Sequence, residues 1–530
     1  MPDAAPISLP PHAALHPAAA DGADFEGPAV PPSAAATPPK GRNGRGRPPV
    51  AASNDLSRDS IRGSVITTGG FVAQSILRLG GNLVVARLLA PEYFGIAALV
   101  NILLIGLQML SDLGIKPAIV QRPNGEDEGF LRTAFTLQVG RGVVLAIAAC
   151  LLAWPAAQLY DPRLLWLVPI ASIGVLANGF ASTNLHRLNR HLLLGRMTLL
   201  ELGTQVAGLV GMVVWALVSP GVLALIIPTV LANVAQTVAS HFILTDRYDR
   251  FGWDREMATD LINFSRWILI STILGFVTTQ ADRLILGRLV PMDLLGVYGI
   301  ALMLAMIPRQ LVLKLGSSVL FPALSKVSDE PGKFASAVNR SRTPLMTVSG
   351  YLISGLIASG PPLVLAMYDS RYYAASWILP ALACGMWLEV LSGANGSILL
   401  SRGRTKVLAL AQLTKGLSLV AFILIGDHLA GFPGTVVGVA SAEIFAYLIC
   451  FTAVTRLGVS LFACDAGLTL LLAATAAAGY AVGHFVPIWV EARGLHETGA
   501  RLTGFAVAGV VVTLLWAWPL YRAIATLRRR

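Results

Sequence analysis

The chain has 530 residues, 55% of them apolar or aromatic and only 13% charged. That is about half the charge share of soluble domains, which excludes an ordinary water-soluble globule. The net charge of +11 would suit a nucleic-acid partner, but the basic residues fall between long apolar segments, so the composition describes an integral membrane protein with no nucleic-acid role.

Residues 1–60 hold 12 of the 31 prolines and 14 alanines with few large apolar side chains. Such a stretch cannot bury enough surface to offset the entropy of ordering, and it is predicted to be a disordered tail. It contains no apolar run resembling a cleavable signal, so the first spanning helix is expected to direct insertion itself. The basic run Lys40–Arg47 reads as a feature that keeps the tail in the cytoplasm, with anionic lipid or nucleic acid as the alternative partner.

From Ser64 onward, mostly apolar segments of about 20 to 26 residues alternate with short polar connections, the length a helix needs to cross about 30 Å of hydrocarbon. The pattern predicts an all-α membrane protein with about fourteen transmembrane helices. Spans one to six fall at 64–88, 94–114, 133–154, 164–182, 197–219 and 221–243, and spans seven to twelve at 262–287, 295–318, 343–367, 376–400, 405–426 and 433–455. Two more follow at 464–488 and 502–525.

With the tail inside, 28 of the 40 Lys and Arg lie in cytoplasmic segments and six on the opposite face, the other six being within helices. Positive residues in short connections stay cytoplasmic, so both termini are expected inside. The four cysteines are isolated, without C-x-x-C spacing or a flanking histidine, and neither a metal site nor a disulfide framework is expected. No phosphate-binding glycine loop occurs and the connections are too short for an external catalytic domain, so neither direct ATP drive nor an enzyme is expected.

Shifting the sequence by 201 residues superposes Asn82–Ile96 on Arg283–Val297, with Leu83/Leu284, Arg87/Arg288, Leu88/Leu289 and Gly95/Gly296 identical. The window joins spans one and two in the first copy and spans seven and eight in the second. A six-span unit is even, so the copies share one orientation. The expected organisation is a first six-helix lobe at 62–243, a second at 262–455 related to it by a parallel repeat, and two additional helices at 464–525. Transporters built this way bind substrate between the repeats near the midplane.

A charged residue at mid-bilayer costs about 2.5 to 3.5 kcal/mol on insertion scales, so it should meet protein, water or ligand. The interior cations are Arg78, Arg141, Arg283, Arg309, Lys314 and Lys415, and the interior anions are Asp282, Glu389 and Glu443. An excess of cations suits an anionic ligand, which arginine engages through its fork of donors. Arg78, Arg283, Arg309, Arg141 and Lys415 are therefore the candidate substrate-binding residues. For Arg78 the alternative is an ion pair with Glu389 or Glu443; for Arg283, snorkelling or pairing with its neighbours; for Arg141 and Lys415, buried structural support. Lys314 is expected to snorkel. Asp282, Glu389 and Glu443 are candidates for coupling to a proton or sodium gradient, lobe-internal salt bridges being the other reading; no other cofactor is expected. Asp112, Glu201 and Arg266 lie near helix ends and read as interfacial anchors.

Several stretches resemble the polysaccharide transporter family of oligosaccharide flippases, within the multidrug/oligosaccharidyl-lipid/polysaccharide exporter superfamily. They are Ala86-Arg-Leu-Leu-Ala-Pro-Glu-Tyr-Phe-Gly95, Ser111-Asp-Leu-Gly-Ile115 with Ile119-Val-Gln-Arg122, Gln280-Ala-Asp-Arg-Leu-Ile-Leu-Gly-Arg288 with Gly296-Val-Tyr298, and Leu320-Phe-Pro-Ala-Leu-Ser325. The resemblance spans residues 62 to 455. It implies two lobes around a central cavity bordered by spans one, two, seven and eight. It also implies movement of a polyprenyl-linked oligosaccharide from the inner to the outer leaflet of a bacterial cytoplasmic membrane, with membrane lipids, a polysaccharide polymerase and chain-length machinery as partners. An ion-coupled drug exporter of the same superfamily would want an acidic pocket on the first span, where Gln74, Arg78 and Asn82 stand instead; a membrane polysaccharide polymerase would need larger outer loops.

Overall fold

A computed structural model describes residues 52–111, 114–121, 125–190, 194–243, 249–315, 331–493 and 496–528. The expectations for the tail up to residue 51, the run Lys40–Arg47, Asp112 and the stretch Leu320–Ser325 lie outside these residues, as do the side chains of Arg266 and Lys314.

The described residues are helical throughout, without a strand. The first lobe contains α1 (Ala52–Leu88), α2 (Pro91–Met109), the short α3 (Ile115–Gln121), α4 (Glu128–Leu159), α5 (Leu164–Gly179), the short α6 (Asn184–Arg190), α7 (Leu194–Val218) and α8 (Leu223–Ser240). The second contains α9 (Arg255–Leu289), α10 (Met292–Leu315), α11 (Pro331–Met367), α12 (Ala375–Ser401), α13 (Thr405–Ser441) and α14 (Ile444–Thr455), followed by α15 (Phe462–Glu491) and α16 (Glu497–Arg528). From Leu56 to Arg530 they form one compact unit.

Ten helices among the described residues are long and apolar enough to cross a bilayer, fewer than the fourteen expected. The difference has local causes. Helix α5 has only 16 residues. Helices α1 and α9 carry Arg78 and Asn82, and Asp282 and Arg283, within their apolar stretches. Residues 405–455 count as one apolar stretch yet fold back on themselves: Ala430 and Gly431 leave the helical region, and Gly431 has φ of +60°, a conformation that glycine adopts without a Cβ penalty. Beyond this turn the chain returns alongside itself, with so little room that a Cβ on Gly438 would lie 2.3 Å from the Phe422 carbonyl oxygen.

The two lobes meet most closely where α2 and α10 begin. A Cβ on Gly95 would fall 2.0 Å from the carbonyl oxygen of Met292, and one on Gly296 would fall 1.9 Å from that of Pro91. Gly95 and Gly296, like Pro91 and Met292, are partners under the 201-residue shift, so the contact is reciprocal, as a two-fold relation between the lobes requires. Around it Arg87 donates to the Met367 carbonyl oxygen at 2.9 and 3.1 Å. Tyr372 donates to the Leu89 carbonyl oxygen at 3.0 Å and packs edge-on against Phe94. On the first lobe's side of this end, Arg163 pairs with Glu92 and with Asp161, whose carboxyl it holds below the usual range.

The last two helices belong to the second lobe's core. Buried Arg342 on α11 makes a bidentate pair with Asp465 on α15, at 2.5 and 3.1 Å, and Tyr447 donates to the same carboxylate at 3.0 Å. Fully buried Trp516 on α16 packs over Gly350 and donates to Thr475 at 2.9 Å.

Candidate functional site

A cavity of about 500 Å³ runs between the lobes, walled by α1, α2, α5, α7, α8, α9 and α10. A second chamber of about 550 Å³ adjoins it on the first lobe's side, between α1, α7 and α8, and Arg78, Asn82, Met212, Thr229 and Asn233 line both. The walls combine apolar side chains with convergent polar ones, the composition of a ligand site. The reciprocal glycine contact closes the end towards which α1 runs. The second chamber, with Gln74, Glu201 and Gln236, lies towards the opposite ends of its helices.

The helical period explains the lining. Gln74, Arg78 and Asn82 recur every four residues and so share one face of α1. Arg78 donates to Gln310 on α10 at 3.0 Å, and Asn82 approaches the Met303 sulfur at 2.8 Å. Arg283 enters from α9, and its Nε is buried without a hydrogen-bond partner. Neither Arg78 nor Arg283 has a carboxylate within ion-pair distance among the described residues. The neighbouring Asp282 is buried and held by the Tyr298 hydroxyl, which donates to it at 2.7 Å.

The remaining candidates lie elsewhere. Arg309 on α10 pairs with Glu389 on α12 at 2.8 Å, and Lys415 on α13 bridges Glu389 at 2.6 Å and Glu443, at the break between α13 and α14, at 2.9 Å. Two cations and two anions thus form one largely buried network inside the second lobe. Glu389 and Glu443, weighed as partners for Arg78, are occupied there. Arg141 on α4 braces the end of α2, donating to the Gln108 carbonyl oxygen at 2.6 Å and to the Ser111 hydroxyl at 3.0 Å. Of the five candidate cations, the fold thus brings two, Arg78 and Arg283, into the cavity.

The fold also brings in residues that reading passed over. Glu201, read as an interfacial anchor, lines the second chamber and accepts a hydrogen bond from Gln74 at 3.0 Å. Gln205 donates to the Gln74 carbonyl oxygen at 2.9 Å. Asn233 and Gln236 extend a polar face of α8 that begins at Thr229, and Asn101, Gln108, Asn178 and Gln310 complete the cavity's amides. Their three- and four-residue spacing on apolar helices was the available signal. No group of three or more metal-ligating side chains occurs among the described residues.

The model of a family described as "Polysaccharide biosynthesis protein" matches residues 84–376. The lipopolysaccharide biosynthesis protein WzxC of Escherichia coli K12 is 22% identical over 364 residues, 68% of this chain and 74% of its own. The teichuronic acid biosynthesis protein TuaB of Bacillus subtilis 168 is 23% identical over 328 residues, 61% of this chain and 68% of its own. The succinoglycan biosynthesis transport protein ExoT of Rhizobium meliloti 1021 is 25% identical over 334 residues, 60% and 66% of the two chains. Among solved structures, the lipid II flippase MurJ in its inward closed conformation superposes with a TM-score of 0.68 at 15% identity, over 88% of this chain and all of that one. An inward-facing multidrug MATE transporter reaches 0.57 at 14% identity, over 73% and 94%. These likenesses to solved structures establish the fold.

Proposed function

The chain belongs to the polysaccharide biosynthesis protein family, and from that premise we propose that it is a flippase for a polyprenyl-pyrophosphate-linked oligosaccharide. It works in the bacterial cytoplasmic membrane, in exopolysaccharide or lipopolysaccharide assembly. It is a transporter, not an enzyme. The observation that carries the reading is the inter-lobe cavity with Arg78 and Arg283, two guanidinium groups without carboxylate partners among the described residues. An isolated charge within the membrane is costly. A pyrophosphate supplies the missing anion, and charge-assisted hydrogen bonds to it are short and strong.

Both termini lie in the cytoplasm in this reading, following the basic residues of the connections. The end sealed by Gly95 and Gly296 then faces outward, and the cavity receives substrate from the inner leaflet. Rocking the lobes apart at that contact and together at the opposite end delivers the head group outward while the lipid tail stays in the bilayer. The product passes to a polysaccharide polymerase and chain-length machinery. A proton or sodium gradient would act at the second lobe's carboxylates. Glu389 and Glu443 are the places for it, with Lys415 having to release one of them, and Asp282 is a third, with Tyr298 as its hydrogen-bond donor.

Deleting the gene tests the reading. The expected result is a fully assembled lipid-linked repeat unit accumulating in the cytoplasmic leaflet, cleared by restoring the wild-type chain. A lipid-linked unit that reaches the outer leaflet at the normal rate without the protein overturns it.

A further inference from the structure

The chamber between α1, α7 and α8 carries a chemistry that a pyrophosphate does not need. Three helix faces converge on it: Gln74, Arg78 and Asn82 from α1, Glu201, Thr204 and Gln205 from α7, and Thr229, Asn233 and Gln236 from α8. Polar side chains on membrane helices commonly join helix to helix. Gln74 and Gln205 do so in part, through Glu201 and the Gln74 backbone. Asn233 and Gln236 do not: no hydrogen bond links either side chain to the protein among the described residues. Both line the open chamber. A primary amide donates and accepts at once, as each sugar hydroxyl does, so a wall of amides and hydroxyls suits a polyhydroxylated ring. A pyrophosphate only accepts.

Glu201 adds a sign to this wall. It is the sole carboxylate among the described residues lining either chamber. Gln74 engages its Oε2, and its other oxygen has no hydrogen bond among the described residues. A second carboxylate brought beside it in a partly desolvated site meets like-charge repulsion, a negative element that sets specificity. Along α1, Gln74 and Asn82 each stand about 6 Å from Arg78 at 1.5 Å per residue, so a ligand whose phosphates rest on Arg78 places its adjoining sugar against this wall.

We propose that the α1–α7–α8 chamber is a sugar subsite that holds a neutral sugar next to the pyrophosphate, and that Glu201 makes it discriminate against a uronic acid there. The proposal rests on the flippase reading above and goes further by assigning the sugar's place and charge class.

The test uses the full chain in lipid nanodiscs and three probes: a polyprenyl pyrophosphate alone, the same lipid bearing one neutral hexose, and the same lipid bearing one hexuronic acid. The expected order is a neutral-hexose probe bound about tenfold tighter than the sugarless one, the scale of one or two net hydrogen bonds, and a hexuronate probe bound at least about tenfold more weakly than the hexose. A Gln205→Ala/Gln236→Ala variant should bring the first ratio close to one, and Glu201→Gln should do the same to the second. Binding of the sugarless probe reports that each variant is folded, and Glu201→Gln, nearly isosteric, decides the question of charge if the double variant fails that control. Equal binding of all three probes by the wild-type chain overturns the subsite and leaves the pyrophosphate reading standing. Failure of all three to bind overturns both.

Discussion

The two lobes put corresponding helices to opposite uses. In the first, α1, α7 and α8 stand apart around a polar chamber whose Asn233 and Gln236 side chains have no hydrogen-bond partner among the described residues. In the second, α9, α13 and α14 hold the corresponding places and close up. A Cβ on Gly416 of α13 would already stand 3.5 Å from the side chains of Thr278 and Val277, and Leu419, Ile423 and Ala442 pack with Ala281 and Ile285. Of that lobe's charges, Arg309, Glu389, Lys415 and Glu443 satisfy one another, while Arg283 on α9 turns to the cavity. Ionisable groups in membrane helices mark function by default, but here the partner decides. Arg309 and Lys415, with carboxylates beside them, hold the lobe together, whereas Arg78 and Arg283, with none within ion-pair distance among the described residues, face the cavity.

The largest expected effect lies in the second lobe. Glu389→Ala removes the anion shared by Arg309 and Lys415, leaving Lys415 with Glu443 but stranding Arg309 in a largely buried site, a loss of about 3 to 5 kcal/mol. Membrane abundance should fall severalfold, and adding Arg309→Met, which removes the stranded cation, should recover part of it. A Glu389→Ala protein as abundant as wild type would break the contrast between the lobes.

Arg342→Met, which leaves Asp465 buried with Tyr447 as its one remaining side-chain partner among the described residues, should cost about 3 kcal/mol by the same argument and lower the thermal midpoint in detergent. Arg342→Met/Asp465→Leu should recover much of it. An unchanged midpoint in the single variant would show that α15 and α16 do not depend on this pair.

Gly95→Ala tests the seam between the lobes. The added Cβ cannot stay 2.0 Å from the Met292 carbonyl oxygen, and overpacking of this kind costs about 1 to 3 kcal/mol. The expected outcome is normal abundance with a thiol placed at Asn101 becoming reactive from the Gly95 end, and Gly296→Ala should reproduce it. Unchanged reactivity in both would show that this contact does not seal the cavity.

A smaller effect is expected at His186 on α6, outside the spans, where burial and then Lys116 lower its pKa from the ordinary 6.5 to about 4. The folded protein keeps the ring neutral where the unfolded chain would protonate it. Its contribution is therefore complete above about pH 6.5 and declines as the pH falls towards 4. His186→Asn should flatten the stability profile across that window; a profile identical to wild type would rule out His186 as its source.

Much of this architecture is legible in the sequence, because spans announce themselves by length and hydropathy and a 201-residue shift aligns Gly95 with Gly296. That these two glycines touch is not legible, since a repeat states correspondence and not proximity. Arg78 stands out because a charge in an apolar helix has few explanations. The partners of Arg309 and Lys415 lie on other helices, and no local pattern separates a paired cation from an unpaired one. Thr229, Asn233 and Gln236 bear no charge and barely disturb the hydropathy of α8, so their shared face emerges only when the helix is set beside α1 and α7. Glu201 is close enough to a helix end to pass for an anchor until Gln74 is seen against it.

The central claim, that the cavity arginines with no carboxylate partner among the described residues serve a pyrophosphate, is tested most directly by reconstituted flipping with Arg78 variants. In proteoliposomes carrying a polyprenyl-pyrophosphate-linked sugar, the wild-type chain should move the lipid between leaflets. Arg78→Ala should incorporate equally well and flip it at least about 100-fold more slowly, the scale of losing two charge-assisted hydrogen bonds. Arg78→Lys should retain part of the rate, keeping charge without the fork. Flipping by Arg78→Ala at the wild-type rate would contradict the account.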